Sequence, residues 1–139
     1  MKLGRRALML AGLVAALPAL PAPADPAVDP ANLRLGEQVY TRCAACHAIG
    51  FNRTGPQHCG LFGRRAGTAP GFDSYSEAMR ASRIVWDARS LDRFLQAPLQ
   101  ALPGTSMGYA GVKDPLERAA LIAWLRQATR DGQSCSVSH

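Results

Sequence analysis

The sequence predicts an all-α domain in which about four helices are joined by long ordered loops. Amphipathic segments with apolar residues at helical spacing each follow a residue suited to the N-cap position. No alternation of apolar and polar residues is long enough for a β-strand, and there is no internal repeat. Residues 50–71 and 98–111 contain glycines and prolines between the helical segments and predict loops. Loops of that length in a small domain are usually functional.

The first two helices are placed by their N-terminal signals. The first is expected to run from about Asn32, as the N-cap, to Cys43. One side of this helix carries the apolar residues Leu35, Val39 and Tyr40. The second helix is short and is expected to start at the capping box Ser74-x-x-Glu77.

The third and fourth helices each follow an aspartate. The third follows Asp87 and ends at Pro98, because proline cannot continue a helix. Its apolar side consists of Leu91, Phe94 and Leu95. The fourth has Asp114 as N-cap, Pro115 at the first helical position and Glu117 at the third. Its apolar face consists of Leu121, Trp124, Leu125 and Ala128.

The N-terminal segment predicts export. Residues 1–24 have a basic start, an apolar run over residues 7–17 and a small-residue cleavage site at Ala22-Pro23-Ala24, as secretory signals do. The apolar run is shorter than the about 20 residues that span a bilayer; an uncleaved membrane anchor is the alternative. We therefore expect a signal peptide over 1–24, a linker over 25–31 and one domain over 32–139. The mature protein is expected to be soluble in the periplasm.

The charge balance favours a protein partner. The chain has 16 basic and 10 acidic residues, and removal of residues 1–24 takes away three basic ones, so the mature net charge is 13 − 10 = +3. That value is too small to indicate nucleic acid binding, and no basic stripe with interleaved aromatics is present. It favours docking on an acidic protein surface. We expect a monomer that does not insert into a membrane after signal cleavage.

The residues that carry the chemistry are Cys43-Ala44-Ala45-Cys46-His47, a C-x-x-C-H sequence typical of haem attachment. Two thiols separated by two residues can reach the two vinyl groups on one edge of a porphyrin, and the next histidine can ligate the iron. Two alternatives compete. A thioredoxin-type C-x-x-C needs a βαβ context, which this chain does not show. A zinc site needs further ligands at finger-like spacing, and none form a clean set.

The second axial ligand is expected to be Met107. Met107 lies in the stretch Pro103-Gly104-Thr105-Ser106-Met107, a rigid turn that can present one side chain inward. A methionine opposite histidine raises the reduction potential. Met79 lies in a helix, where a packing role is commoner. His58 and His139 remain as alternatives that would give a bis-histidine haem.

The chain resembles the class I cytochrome c family in its soluble mitochondrial and bacterial form. The resemblance rests on GEQVYTRCAACH, RTGPQHCGLFGRRAG, VWDARSLDRFLQAPLQALPGTSMGYAG and LIAWLRQAT, and spans residues 36–128. It implies the cytochrome c fold, in which helices and loops wrap around one covalently bound haem c. The first and last helices of that fold cross at a glycine and an aromatic, which Gly36 with Tyr40 and Trp124 match.

The resemblance also implies roles for residues around the haem. Pro56 would hold His47 through the loop that precedes it. Three residues match groups that bind the haem propionates: Arg64, Tyr75 and Trp86. Tyr109 matches an aromatic next to the exposed haem edge.

This chain departs from the family pattern at several positions. The loop between His47 and Pro56 is shorter than in the mitochondrial form, which favours the bacterial branch. Three side chains are unusual: Phe94 in place of a tyrosine, Met79 in place of an asparagine and His58 in place of a leucine beside the haem.

A disulfide between Cys59 and Cys135 is expected. Cys43 and Cys46 are committed to the haem, which leaves two cysteines in a chain exported to an oxidising compartment. By resemblance, the end of the last helix packs near the loop that carries Cys59. The alternative is two free cysteines.

The expected function is that of a soluble periplasmic electron carrier, not an enzyme. It would shuttle single electrons between redox complexes such as an oxidase, a quinol–cytochrome c reductase, a dehydrogenase or a reaction centre. The expected docking surface includes Arg42, Arg53, Tyr109 and Lys113. One alternative is the dedicated electron acceptor of one periplasmic dehydrogenase. Another is a haem peroxidase or a gas-binding protein, if Met107 is not a ligand.

Overall fold

A computed structural model of the chain describes residues 29–130 and Cys135. The described part contains five helices: α1 Pro30–Tyr40, α2 Glu77–Ala81, α3 Ala88–Gln96, α4 Pro98–Ala101 and α5 Pro115–Ala128. Its β-structure is limited to an isolated antiparallel bridge between Arg65 and Val85. The predicted all-α class is confirmed. The predicted signal peptide, residues 25–28 of the expected linker and His139 lie outside the described residues.

Helix α1 begins earlier than predicted. Its N-cap is Asp29, whose side chain accepts a hydrogen bond from the Ala31 amide, and Pro30 is the first helical residue. Asp followed by Pro is a strong start signal, since proline has its φ fixed near the helical value and has no N–H to satisfy. The predicted N-cap at Asn32 is therefore wrong. The helix also ends at Tyr40, and hydrogen-bonded turns continue the chain to the cysteine pair.

Helix α2 has a different N-cap from the predicted Ser74. Ser76 directly precedes the helix, and its hydroxyl accepts a hydrogen bond from the Met79 amide at 3.2 Å. The spacing of Ser74 and Glu77 matched a capping box by coincidence, because Glu77 is the first helical residue and not the third.

Helix α3 starts as predicted. The Asp87 carboxylate accepts from the Ser90 amide at 2.6 Å, and the Ser90 hydroxyl accepts from the Asp87 amide at 2.8 Å. Pro98 ends α3 but also opens the short helix α4, which the sequence reading placed in a loop. The same residue can do both, because proline is excluded from a helix interior and favoured at the first position.

Helices α1 and α5 cross at close range. Asp114 caps α5 as predicted and accepts from the amides of Leu116 and Glu117. A Cβ on Gly36 would lie 2.6 Å from the Trp124 Cβ, so only glycine allows this approach. The rings of Tyr40 and Trp124 pack with centroids 4.6 Å apart. The predicted crossing is confirmed.

The hydrophobic core lies between α1, α3 and α5 and continues into the loops. Its largest fully buried side chains are Val39, Pro98, Val112 and Leu121. Aromatic and aliphatic side chains of α3 and α5 face a cavity at the centre of the domain, among them Leu91, Phe94, Leu121 and Leu125. No helix in the described part of the chain is long and apolar enough to cross a membrane.

Candidate functional site

The cavity at the centre of the domain has a volume of about 580 Å³. That value lies within the range of small-molecule and cofactor sites. Every site residue singled out in the sequence lines it: Cys43, Cys46, His47, Pro56, Arg64, Tyr75, Trp86, Met107 and Tyr109. The fold therefore brings together residues that are up to 66 positions apart in the chain (109 − 43).

The cysteine pair lies in a tight turn after α1. The Cys46 and His47 amides both donate to the Cys43 carbonyl, at 3.1 and 2.9 Å. Both thiols are free; Cys43 is half-buried and Cys46 is exposed. Burial raises the pKa of the Cys43 thiol to about 11, against the opposing effect of the Arg42 cation, so this thiol is protonated at neutral pH. The turn presents both sulfurs and one imidazole to the cavity.

The His47 imidazole is held in one tautomer. Its Nδ1 lies 2.8 Å from the Pro56 carbonyl oxygen, and because a carbonyl can only accept, Nδ1 carries the proton. Nε2 is then left with its lone pair for a metal ion. Burial lowers the pKa of His47, and the hydrogen bond to Pro56 only partly opposes this effect, so the neutral, ligating form is favoured.

Gly55 gives the His47 ring its space. A Cβ at Gly55 would lie 2.7 Å from the His47 Nδ1, so any other residue would displace the ring. Pro56 was predicted as a site residue from the sequence, and Gly55 was not. The Gly-Pro pair is apparent in the sequence, but the short distance between the Gly55 backbone and the His47 ring is apparent only in the structure.

His58 lies on the same side of the cavity as His47. The two rings are stacked with centroids 4.5 Å apart and an interplanar angle of 22°. The Tyr40 hydroxyl is 3.2 Å from the His58 Nδ1. Burial lowers the pKa of His58 to about 3, and the positive charge of the Arg64 guanidinium acts in the same direction. A ring stacked on His47 is poorly placed to ligate, from the opposite side, a metal ion that His47 would bind.

Met107 reaches the cavity from the loop between α4 and α5. Its amide donates to the Thr105 hydroxyl at 3.3 Å, and Thr105 is buried. Thr105 also lines the cavity and was not predicted, since a threonine two residues before a methionine gives no distinctive pattern. Met79 lines the cavity as well, so two thioethers are available there.

Two of the predicted propionate-binding residues, Arg64 and Tyr75, have further hydrogen-bond donors besides those used in their contacts within the domain. The Arg64 guanidinium donates to the carbonyls of Cys59 at 2.6 Å and Gln57 at 2.9 Å, which uses two of its five N–H groups. The Tyr75 hydroxyl accepts from the Ala69 amide at 3.0 Å, and its own proton is available to donate. A buried carboxylate needs such donors and a positive charge nearby.

The charged residues of the expected docking surface differ in how they are paired. Arg42 forms two hydrogen bonds with the Glu117 carboxylate, at 2.6 and 2.7 Å, so its charge is compensated within the domain. The Lys113 ammonium donates to the Gln96 carbonyl at 2.7 Å, which leaves its charge uncompensated by that contact. Arg53 is exposed. Arg42 is thus the weakest member of the expected docking surface.

The expected disulfide is confirmed. Cys59 and Cys135 are bonded, with their Cα atoms 5.4 Å apart. Within residues 29–130 and Cys135, no three His, Cys, Asp or Glu side chains are gathered to hold a metal ion. Because both sulfurs are in the disulfide, neither Cys59 nor Cys135 can serve as a zinc thiolate.

The donor set fits an iron porphyrin. Two thiols can bond its vinyl groups, an imidazole with a free Nε2 can ligate the iron, and a thioether can complete the coordination. The guanidinium and the tyrosine hydroxyl suit its two carboxylates. The apolar walls match its faces, since most of the remaining lining residues are aliphatic or aromatic. Fold and site together define a helical haem-binding domain.

Comparison with known proteins identifies the family. The cytochrome c family model matches residues 33–129. Cytochrome c from Sesamum indicum is 41% identical over 104 residues, covering 72% of this chain and 93% of the relative. Cytochrome c2 from Rhodomicrobium vannielii is 43% identical over 101 residues, covering 70% and 78%. The structure of cytochrome cH from Methylobacterium extorquens matches with a TM-score of 0.66 and 34% identity, over 68% of this chain and 97% of that one.

The chain belongs to the cytochrome c family. Membership implies a covalently bound haem c, iron binding and a role in electron transport.

Proposed function

We propose that this protein is a soluble periplasmic carrier of single electrons, with one haem c bonded to Cys43 and Cys46 and its iron ligated by His47 and Met107. One observation carries the proposal. The Pro56 carbonyl fixes the His47 proton on Nδ1, so Nε2 is free in the same cavity that both thiols and the Met107 thioether line.

The haem, when bound, supplies a one-electron couple at its iron. The chain's own residues determine how that couple behaves. The His47 imidazole is fixed by its hydrogen bond to the Pro56 carbonyl, and the Met107 backbone is fixed by the hydrogen bond from its amide to the Thr105 hydroxyl. Both side chains would ligate as neutral groups, so neither has to gain or lose a proton when the charge of the iron changes. Apolar side chains of the cavity wall, such as Leu121 and Phe94, exclude water from the site. Exclusion of water lowers the reorganisation energy of electron transfer.

The propionates are assigned to Arg64, Tyr75 and Trp86. Arg64 offers charge and free N–H groups, and Tyr75 offers a hydroxyl proton beside it in the cavity. Trp86 is buried against Phe94, with ring centroids 5.1 Å apart, so it closes this end of the site. Together they would compensate the two carboxylates that the cofactor brings into the protein.

Two features support a periplasmic location. Residues 1–24 have the pattern of a secretory signal. The bond between Cys59 and Cys135 is typical of chains that fold in an oxidising compartment. A cytosolic protein would rarely keep such a bond.

The partners are proposed to be redox proteins with acidic docking surfaces, namely an oxidase, a quinol–cytochrome c reductase, a dehydrogenase or a reaction centre. The mature charge of +3, the exposed Arg53 and the Lys113 ammonium support electrostatic attraction. Tyr109 lines the cavity and is partly exposed, which suits contact at the haem edge. Acceptance of electrons from a single dehydrogenase would use the same surface and the same site.

The test is production of the haem-loaded protein in a periplasm equipped for haem attachment. Electron-transfer rates with purified oxidases, reductases, dehydrogenases and reaction centres are then compared at matched low ionic strength. Rapid exchange with at least two such complexes supports a shuttle. Rapid exchange with one dehydrogenase alone supports the dedicated acceptor. Sustained reduction of peroxide by a small-molecule electron donor, with no redox protein present, contradicts the carrier function.

A further inference from the structure

Four ring side chains form a continuous row from the helix crossing to the expected axial ligand His47. Tyr40 contacts Trp124 on one side and His58 on the other, and His58 is stacked on His47. We propose that His58 is a positioning residue: held by Tyr40, it fixes the plane of the His47 imidazole. This inference rests on the proposed function, because it concerns the ring that would ligate the iron.

Besides this stacking contact, the His47 ring makes a hydrogen bond from Nδ1 and lies against the Gly55 backbone. The hydrogen bond from Nδ1 to the Pro56 carbonyl fixes the position of that nitrogen, but the imidazole ring can still tilt about the direction of the bond. The Gly55 backbone lies against the ring and limits its movement toward that segment. The face of the ring is covered by His58, whose plane is only 22° from its own. Removal of His58 therefore removes the contact that opposes tilt.

His58 is itself anchored at both its backbone and its ring. Its amide donates to the carbonyls of Ala48 and Ile49, at 3.2 and 3.0 Å, which ties it to the loop that follows His47. The next residue, Cys59, is in the disulfide. The His58 Nδ1 is within 3.2 Å of the Tyr40 hydroxyl. The position of this ring is thus set by covalent and hydrogen-bonded contacts.

Tyr40 connects this arrangement to the crossing of α1 and α5. It is the last residue of α1, is buried, and packs on Trp124 of α5 with ring centroids 4.6 Å apart. A leucine at position 58 would fill the space, but it could not bond the Tyr40 hydroxyl or lie flat on His47. The hydroxyl would then lose a buried partner, which is costly.

The experiment compares four haem-loaded variants in the oxidised state: His58→Leu, His58→Phe, Tyr40→Phe and Val112→Ala. The measured quantity is the spread of the paramagnetically shifted haem methyl resonances, which depends on the orientation of the axial imidazole plane. The reduction potential is recorded in parallel. Val112 is buried outside the cavity and serves as the matched control, since its truncation lowers stability without touching the row of rings.

We expect His58→Leu to change the methyl spread and raise the potential, because a polar ring is replaced by an apolar chain beside a cationic iron centre. Tyr40→Phe changes both quantities in the same direction by a smaller amount, because the stacked ring stays but loses its anchor. His58→Phe keeps a ring stacked on His47. Its methyl spread should therefore be closer to the wild-type value than that of His58→Leu. Val112→Ala leaves both quantities unchanged.

The inference is overturned if His58→Leu lowers the unfolding midpoint but leaves the methyl spread at the wild-type value, because His58 is then a packing residue only. If His58→Leu does not fold, the Tyr40→Phe variant takes its place in the test. An unchanged methyl spread in Tyr40→Phe would then overturn the inference. Failure of the proposed function looks different. In that case the wild type itself binds no haem or lacks His47 ligation, which its spectrum shows before any variant is compared.

Discussion

Arg42 and Glu117 join the cysteine turn to the first turn of α5 across 75 residues of sequence. The guanidinium and the carboxylate meet through two hydrogen bonds, Nη1 to Oε2 at 2.6 Å and Nη2 to Oε1 at 2.7 Å. This paired geometry fixes the turn against the helix more specifically than a single contact would.

The first prediction concerns the acid side of the stability profile. The hydrogen bonds from Arg42 hold the pKa of Glu117 below its ordinary value. The contribution of the carboxylate to stability is therefore complete above its unfolded pKa and is lost as the pH falls through the folded one. Glu117→Gln should lower the free energy of unfolding at neutral pH. It should also make the decrease of this free energy from neutral to acidic pH less steep. Urea unfolding at several pH values measures this.

Asp73→Asn is the control for that experiment, because it removes an exposed carboxylate from another loop. It should leave the slope of stability against pH near the wild-type value. An equal flattening in both variants would show that general charge, and not the pair, produces the effect.

The second prediction concerns the axial methionine. Met107→Ala should abolish the weak red charge-transfer band that an iron–thioether bond gives in the oxidised spectrum. Met79→Leu is the matched control, because Met79 lines the same cavity and leucine replaces it with little change of volume. A band that survives Met107→Ala and disappears in Met79→Leu would transfer the ligand assignment to Met79.

The third prediction concerns the disulfide. In the chain-entropy model, closing a loop of 76 residues stabilises the fold by roughly 4–5 kcal/mol, less any strain. Replacement of Cys59 and Cys135 by serine should lower the free energy of unfolding by up to about that amount. The haem-loaded wild-type protein, in which Cys43 and Cys46 are expected to be bonded to the haem, should offer no alkylatable thiol when denatured without reductant. Labelling of two thiols would contradict the bond.

The fourth prediction concerns the helix crossing. Gly36→Ala should destabilise the protein, because the added Cβ would meet the Trp124 Cβ at 2.6 Å and the Ala120 carbonyl of α5. Overpacking of this kind costs typically 1–3 kcal/mol, which exceeds the gain of about 1 kcal/mol from higher helix propensity. Gln38→Ala, at an exposed position of the same helix, should be close to neutral. Thermal unfolding distinguishes the two.

The fifth prediction concerns docking. Electron-transfer rates with the physiological partner should fall as salt rises, because exposed charges are screened over about 8 Å at physiological ionic strength. Arg53→Gln should slow the reaction at low salt. Arg34→Gln is the control, because it removes an exposed charge from α1, a helix that contributes only its last residue to the cavity. It should leave the rate at low salt unchanged. Rates that are flat or rise with salt would count against this surface.

Local signals predicted the features that depend on neighbouring residues. Asp87 and Asp114 were correct as N-caps because each bonds amides two or three positions away. Asn32 and Ser74 were wrong because a competing residue nearby, Asp29 or Ser76, also had cap chemistry. Propensity alone does not decide between two capping residues a few positions apart.

Contacts between distant segments could be predicted only where covalent chemistry restricted the choice. The bond between Cys59 and Cys135 followed from counting cysteines once two were assigned to the haem. The stack of His58 on His47 and the pair of Arg42 with Glu117 had no such restriction. Their partners are set by how the loops fold over the cavity, which no local pattern encodes.

The bond between Cys59 and Cys135 makes a covalent ring of everything between those positions, while Cys43 and Cys46 stay outside it. A single proteolytic cut within the ring would leave both fragments on one molecule, so a nicked carrier would keep its Met107 segment. The four cysteines also permit three different complete pairings during maturation. For the proposed haem attachment, Cys43 and Cys46 have to stay reduced while Cys59 and Cys135 are oxidised, and each of the three complete pairings would block that attachment.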